Sequence, residues 1–144
     1  MRAISLWQPW SSLWCSPRKV HETRGWSTTH RGWLLVHATK KLVTDCGAEL
    51  DEIVCDEFGP QWRLTLPTGA IVGVVRIIAC EPTHGMSIDS MDDFHCGDFS
   101  IGRYAWRRKE YKRFDRPIAY RGAQGMFDVP DEVVREAIQK ASNP

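Results

Sequence analysis

Six consecutive residues near the amino terminus carry the densest group of reactive side chains in the chain. The segment 19–24 reads Lys-Val-His-Glu-Thr-Arg and places an amine, a carboxylate and a guanidinium close together. The two cations are suited to phosphate, and the carboxylate is suited to accepting a hydrogen bond from a base or to activating water. On a strand, Glu22 and Arg24 share one face and Lys19 lies on the other, so the three converge only if Lys19 precedes the strand in a turn. The alternative is a solvated edge strand with an ion pair between Glu22 and Arg24.

Other groups of reactive side chains give weaker patterns. No Gly-x-Ser-x-Gly nucleophile elbow and no glycine-rich phosphate loop is present. Cys80, His84, His95 and Cys96 could supply metal ligands, but zinc sites usually contain two tighter pairs, so we expect neither a metal nor a cofactor. His37 lies in an apolar segment, where a histidine is usually a hydrogen-bonded core residue.

The length and composition are typical of one globular domain, which we expect to span residues 1–144. The chain has 144 residues, 42% of them hydrophobic and 26% charged, which excludes disordered, collagen-like and coiled-coil proteins. No run of about 18 apolar residues exists, so no membrane contact is expected. The amino-terminal segment lacks the cleavage site of a signal peptide. Five scattered cysteines favour reduced thiols and a cytoplasmic protein.

The formal net charge of +1 conceals four segments of alternating sign. Residues 1–41 carry seven basic side chains against Glu22, and residues 103–121 carry eight against two acids, so each of these basic segments has a charge of +6. Residues 42–62 and 81–98 have charges of −6 and −5. If the two basic segments meet in space, they form a surface suited to phosphate. The alternative is that they are spread over the surface or paired with the acidic segments.

Hydrophobic patterns predict short strands with helices inserted between them. Strands are expected at residues 2–6, 20–26, 33–38, 70–80, 117–120 and 124–129, and helices at residues 9–16, 45–58, 87–94 and 131–141. The continuous apolar run 70–80 is the expected central strand. Because strands and helices do not alternate regularly, we predict an α+β protein built on a small mixed β-barrel or sheet.

Several motifs, in order along the chain, resemble those of one family. They occupy residues 4–10, 19–26, 30–32, 35–38, 69–75, 104–106 and 122–127. On these motifs the chain is similar to the ASCH domain (activating signal cointegrator homology) of the PUA-like superfamily, most of all to the coactivator domain that gives the family its name. The resemblance covers residues 2–129. Lys19, Glu22 and Arg24 match the family signature Gly-x-Lys-x-x-Glu-x-Arg, and Pro17 stands in place of its glycine.

The resemblance implies a PUA-like small mixed β-barrel and a cleft lined by the signature residues. It further implies that the cleft binds RNA, another single-stranded nucleic acid or a modified nucleoside. The expected nucleic-acid contacts are Lys19, Arg24, Trp26, Arg31, His37, Tyr104, Trp106 and Arg107. We expect Trp26 or Trp106 to stack on a base. The tryptophans expected in the core, or closing the barrel, are Trp7, Trp10, Trp14 and Trp33.

Enzymatic relatives supply an alternative function. Small bacterial ASCH proteins with a similar signature remove an acyl group from acetylated cytidine with a Lys, a Thr and a Glu, and another relative is reported as a ribonuclease. If this chain is such a hydrolase, its catalytic residues are Lys19, Glu22 and Arg24. Lys19 matches the catalytic lysine, and Glu22 stands in the position of the threonine. Glu110 is a candidate for the second acid, whose position the signature does not give. A protein-interaction adaptor is a further alternative, which an uncharged cleft would favour.

Overall fold

A computed structural model describes the backbone of residues 1–142 and the side chains of residues 1–139. The strands are β1 (Arg2–Gln8), β2 (His21–Arg24), β3 (Gly32–Leu42), β4 (Ala70–Pro82), β5 (Tyr104–Ala119) and β6 (Met126–Asp128). The helices are α1 (Trp10–Trp14), α2 (Ala48–Phe58), α3 (Trp62–Thr65), α4 (Met91–His95) and α5 (Asp131–Ser142). The last two residues of the predicted domain, 143 and 144, lie outside the described part of the chain.

The six strands form one mixed sheet in the order β2-β5-β4-β3-β1-β6. β1 and β3 run parallel, and the other neighbours are antiparallel. The predicted α+β class is therefore confirmed, with β4 near the centre of the sheet as expected. The predicted barrel is wrong in one respect, since the edge strands β2 and β6 do not pair with each other within residues 1–142 and the sheet stays open.

Both faces of the sheet are covered, because alternate residues of each strand point to opposite sides. On β3, Leu34 and Val36 pack with Trp14 of α1 on one side, and Leu35 packs with Val134 of α5 on the other. A third cluster lies beneath α2 and α3 and is centred on the fully buried Trp62. Helix α3 was not predicted from the sequence, because it has only four residues and follows closely after Gly59-Pro60, where α2 ends.

The tryptophans divide differently from the prediction. Trp14 is fully buried, but the side chains of Trp7 and Trp33 are 50% and 46% exposed. Both occupy strand positions whose neighbours on either side along β1 or β3 are buried or half-buried. The period of two places Trp7 on the same face as Ala3 and Trp33 on the same face as Leu35, but neither ring belongs to the buried cluster that contains Ala3 and Leu35. Composition alone does not reveal how far along a strand such a cluster extends.

The strand β5 is longer than the predicted strand 117–120 and contains most of the second basic segment, although Arg103 and Arg121 lie outside it. It has 16 residues, of which only Tyr104–Arg107 pair with β2. Beyond Arg107, β5 pairs with β4 alone. Its other edge there carries Pro117, which lacks a donor, and several charged side chains, as is typical of an exposed edge strand.

Candidate functional site

Glu22 is the centre of a small charged cluster at the start of β2. Its Oε1 lies 3.2 Å from Lys19 Nζ, and its Oε2 lies 3.4 Å from Arg24 Nη1. Lys19 is 0% exposed and Glu22 only 6%, whereas Arg24 is partly exposed. Because Lys19 lies in the segment before β2, its side chain reaches the same carboxylate as Arg24. The three signature side chains therefore converge. The condition for this convergence, that Lys19 precedes the strand, is met.

Asp93 holds the backbone between Lys19 and β2 in place. Its Oδ1 accepts hydrogen bonds from the N–H groups of Val20 (2.7 Å) and His21 (2.9 Å), and its Oδ2 lies 2.7 Å from His21 Nδ1. Burial would raise the pKa of Asp93, but the hydrogen bonds from His21 and Val20 outweigh it and lower this pKa below its usual range. The ionised carboxylate thus fixes the position from which Lys19 projects.

Arg108 of β5 fastens the other side of the same segment. Its guanidinium donates to the carbonyls of Trp14 (3.1 Å), Ser16 (2.5 Å) and Lys19 (2.7 Å). Burial lowers the pKa of Arg108. The planar, forked guanidinium suits this task because it serves several acceptors at once. Arg108 is therefore a positioning residue and is not available to a ligand.

A cleft of about 1290 Å³ opens in front of Glu22 and Arg24. Both basic segments contribute to its lining, Arg24 and Lys40 from the first and Arg103 and Arg121 from the second. Lys19 does not line the cleft but lies behind Glu22, since it is fully buried. The two basic segments therefore meet, although only part of each faces the cleft.

A second polar group lies on the strand wall of the cleft. Ser5 of β1 and His37 of β3 are paired in the parallel register, and Ser5 Oγ lies 3.1 Å from His37 Nδ1. His37 Nε2 lies 2.7 Å from the Tyr120 carbonyl oxygen, which can only accept. Nε2 therefore carries a proton that it donates to this carbonyl, and Nδ1 lies within hydrogen-bond distance of the Ser5 hydroxyl. A Cβ at Gly122 would lie 2.5 Å from Nδ1, so only glycine lets the backbone pass over this pair.

The remaining predicted contacts lie outside the cleft lining. Trp106 is fully buried, and its Nε1 donates to the Trp26 carbonyl oxygen. The Trp26 ring is 40% exposed and packs edge-on against Trp106. Arg31 is exposed and donates to carbonyls of its own loop. Tyr104 packs against the core, and Arg107 is exposed on β5.

Several residues that line the cleft were not among the binding or catalytic residues expected from the sequence. They are Ser5, Trp7, Thr39, Lys40, Arg103, Arg121 and the loop 122–125. The family motifs at residues 4–10 and 122–127 contained some of them, but nothing in the sequence indicated that these two motifs meet. Glu110, the candidate second acid, is bound bidentately by Arg76 on the surface, and this hydrogen bonding lowers the pKa of Glu110 to about 2. Within the described residues, no three metal-ligating side chains are placed to hold a metal ion.

A comparison with known families identifies one family for this chain. A family model described as the ASCH domain matches residues 4–120. The chain belongs to the ASCH domain family. Members of this family bind RNA or act as hydrolases, and their fold is PUA-like. No curated protein matched the chain significantly.

Solved structures support the same fold. The ASCH protein of Zymomonas mobilis superposes with a TM-score of 0.55 at 12% identity, covering 96% of this chain and 93% of the other. Two single-substitution variants of that protein give TM-scores of 0.54 and 0.55 at 10% and 14% identity, covering 96% of this chain and 96% and 94% of theirs. At this identity the likeness establishes the ASCH fold alone. No helix within residues 1–142 is long and apolar enough to span a membrane.

Proposed function

We propose that this ASCH domain binds single-stranded nucleic acid, RNA in the first instance, in the cleft in front of Glu22. The observation that carries the proposal is that Glu22 and Arg24, held together with the buried Lys19 behind them, line a cleft to which both basic segments contribute. Nucleic-acid grooves without strong sequence preference combine cations that follow the backbone with groups that contact bases. This cleft offers both kinds of group.

The cations and the carboxylate have different roles in this proposal. Arg121 and Lys40 are exposed at the cleft and are free to follow the phosphates, whereas Arg103 is already engaged with the Thr23 carbonyl and Asp98. Each oxygen of Glu22 has one cation beside it and more than one lone pair. Glu22 is therefore able to accept a hydrogen bond from the amino group of a base while it stays paired.

The size of the cleft favours a polymer over a single nucleoside. Pockets for small molecules have volumes of about 300 to 1,000 Å³, and this cleft has about 1290 Å³. The cleft therefore has room for more than one nucleotide. A free modified nucleoside is the competing ligand, and it is one arm of the test.

The test measures the binding of a labelled RNA of about ten nucleotides to the wild type and to Arg121→Gln, Lys40→Gln and Arg116→Gln proteins. Arg116 is an exposed arginine of β5 outside the cleft lining and serves as the matched control. We expect the cleft variants to weaken binding and to reduce the slope of log affinity against log salt by about 0.7 per lost phosphate contact. Equal effects in the control, or an affinity independent of salt, would contradict the proposal. DNA of the same sequence and free acetylcytidine complete the panel.

Hydrolysis is the second candidate, because the Glu22 carboxylate lies at the cleft and the buried Lys19 amine contacts it from behind. In an acyl-cytidine hydrolase or a ribonuclease, Glu22 would activate water and Arg24 would stabilise the developing oxyanion. The close pairing of Lys19 with Glu22 opposes a role for Lys19 as the base. Release of free acid from a panel of acylated cytidines, or cleavage of RNA, that is lost in Lys19→Ala with the fold kept would support this candidate. No turnover by the wild type would remove it.

An adaptor role receives no support from a cleft that is lined by four basic side chains.

A further inference from the structure

Trp7 is an exposed aromatic ring inside a charged cleft. It lies on β1 two residues after Ser5, so both side chains leave the same face of the strand, while Leu6 and Gln8 are buried on the other. Ser5 and Trp7 both line the cleft. Half of the Trp7 side chain nevertheless remains exposed.

The neighbours of Trp7 are cationic. Lys41 Nζ lies 3.8 Å from the centroid of the ring, which is the geometry of a cation–π contact. Lys40, the preceding residue of β3, lines the cleft beside it. An aromatic ring with one ammonium group over it, and a second basic side chain in the same cleft, provides the stacking surface and the positive charge that bind a single strand.

The other exposed or basic-segment tryptophans lack this combination. The Trp106 indole is buried and its N–H is bonded to the protein, and Trp26 packs against it outside the cleft lining. Trp33 has nearly the same exposure as Trp7, but it also lies outside the lining. Trp10 also lines the cleft, but it is half-buried and packs against the cluster beneath α2 and α3. Trp7 is therefore distinguished by the combination of high exposure and a place in the cleft.

We infer that Trp7 is the surface on which a base of the bound strand stacks, with Lys40 and Lys41 beside the adjoining phosphates. This inference rests on the proposed function, and it names a residue and a type of contact within that site. Stacking requires no new backbone arrangement, because Trp7 already lines the cleft and is half exposed there.

The experiment compares Trp7→Ala with Trp33→Ala, which removes an equally exposed tryptophan elsewhere on the sheet. The probes are an oligouridine of about ten nucleotides and an abasic ribose-phosphate strand of the same length. We expect Trp7→Ala to weaken binding of the oligouridine by about 5- to 150-fold and to leave binding of the abasic strand and the salt slope almost unchanged. Trp7→Phe should recover much of the lost affinity, and Trp33→Ala should bind both probes like the wild type.

The outcomes separate this inference from the proposed function. If Trp7→Ala matches Trp33→Ala, or weakens both probes equally, while Arg121→Gln still weakens binding, the stacking role is wrong and the binding site stands. If the wild type binds neither probe, the proposed function and the stacking role both fail. Thermal unfolding of each variant shows whether a loss of affinity reflects a loss of folded protein.

Discussion

At the scale of single residues, the site depends on one carboxylate that neutralises two cations. Lys19 is buried and also donates to the Cys96 carbonyl oxygen at 2.9 Å, so its charge has little access to water. Glu22 is its only carboxylate contact within 4 Å among the described residues. A buried cation that loses its counter-ion keeps its desolvation cost without compensation. Glu22 is thus a structural requirement as well as a candidate ligand contact.

Replacement of Glu22 by glutamine should therefore destabilise the fold. We expect Glu22→Gln to lower the free energy of unfolding by about 3 kcal/mol, because it leaves the Lys19 ammonium buried and unpaired. The double variant Lys19→Met/Glu22→Gln should lose less than Glu22→Gln alone, since it removes the buried charge together with its partner. Urea unfolding measures both. A double variant that is less stable than the single one would show that the pair is not the source of the loss.

The second residue-scale prediction concerns pH. The folded-state pKa of Asp93 lies below its unfolded value, so its contribution to stability is present above about pH 4 and is lost as the pH falls through the lower, folded-state pKa. Asp93→Ala should lower the unfolding free energy by about 2 to 3 kcal/mol at neutral pH, because it leaves the N–H groups of Val20 and His21 without their acceptor. Urea unfolding of both proteins at a series of pH values should show this difference shrinking below about pH 4. A difference that is constant down to pH 3 would contradict the assignment.

At the scale of elements, the segment between α1 and β2 has no regular structure of its own and is positioned by two distant elements. Asp93 of α4 binds its carboxyl-terminal end, and Arg108 of β5 binds the carbonyls of Trp14, Ser16 and Lys19. The signature therefore depends on residues more than 70 positions later in the chain. Changes to these residues should alter the cleft without touching a ligand.

Arg108 tests this dependence. We expect Arg108→Met to lower the unfolding free energy by about 3 kcal/mol, because it leaves several buried carbonyl oxygens without a donor. Arg108→Lys should recover only part of this loss, since a single ammonium cannot reproduce the fork of the guanidinium. Exposed Arg107→Met is the matched control and should change stability by less than about 0.5 kcal/mol. RNA affinity measured well below the unfolding temperature should fall in Arg108→Met, and an unchanged affinity would show that the segment holds its position without Arg108.

Particular residues show how much of this site the sequence could predict. The sequence predicted that Lys19, Glu22 and Arg24 converge if Lys19 precedes the strand. This was possible because the alternation of side chains along a strand is a local property, and only the first residue of β2 was unknown. The pairing of Ser5 with His37 was not, since it follows from the parallel register of β1 and β3 across 32 residues. Trp106 looked suited to stacking because it lies in a basic segment, but its ring is buried in the cluster that contains Trp14 and Leu34. The sequence therefore allowed the local arrangement of reactive side chains to be predicted, but it did not allow prediction of contacts that depend on the order of strands in the sheet.

At the scale of the whole molecule, the five cysteines are all free and differ in their access to solvent. Cys15 and Cys96 are buried in two different clusters, and burial raises the pKa of Cys15 to about 12 and that of Cys96 to about 11. The other three cysteines are partly exposed. Thiol chemistry therefore reports on the integrity of both clusters at once.

We expect a thiol reagent such as dithionitrobenzoate to react in the native protein with the partly exposed cysteines and to reach Cys15 and Cys96 only on unfolding. The reaction is followed by absorbance, with and without denaturant. The variants Cys15→Ala and Cys96→Ala should leave the native amplitude unchanged and each reduce the denatured amplitude by one thiol. A native amplitude that falls in either variant would show that the corresponding cluster opens under native conditions.

The burial of Lys19 also determines how this protein responds to chemical footprinting. An ammonium that is 0% exposed and held between a carboxylate and a carbonyl oxygen cannot meet an acylating reagent in the folded state. Lysine-labelling maps of the native protein, with or without RNA, would therefore show no change at Lys19. Protection by a ligand has to be sought instead at Lys40, which lines the cleft, and at Lys41, whose amine lies over the Trp7 ring.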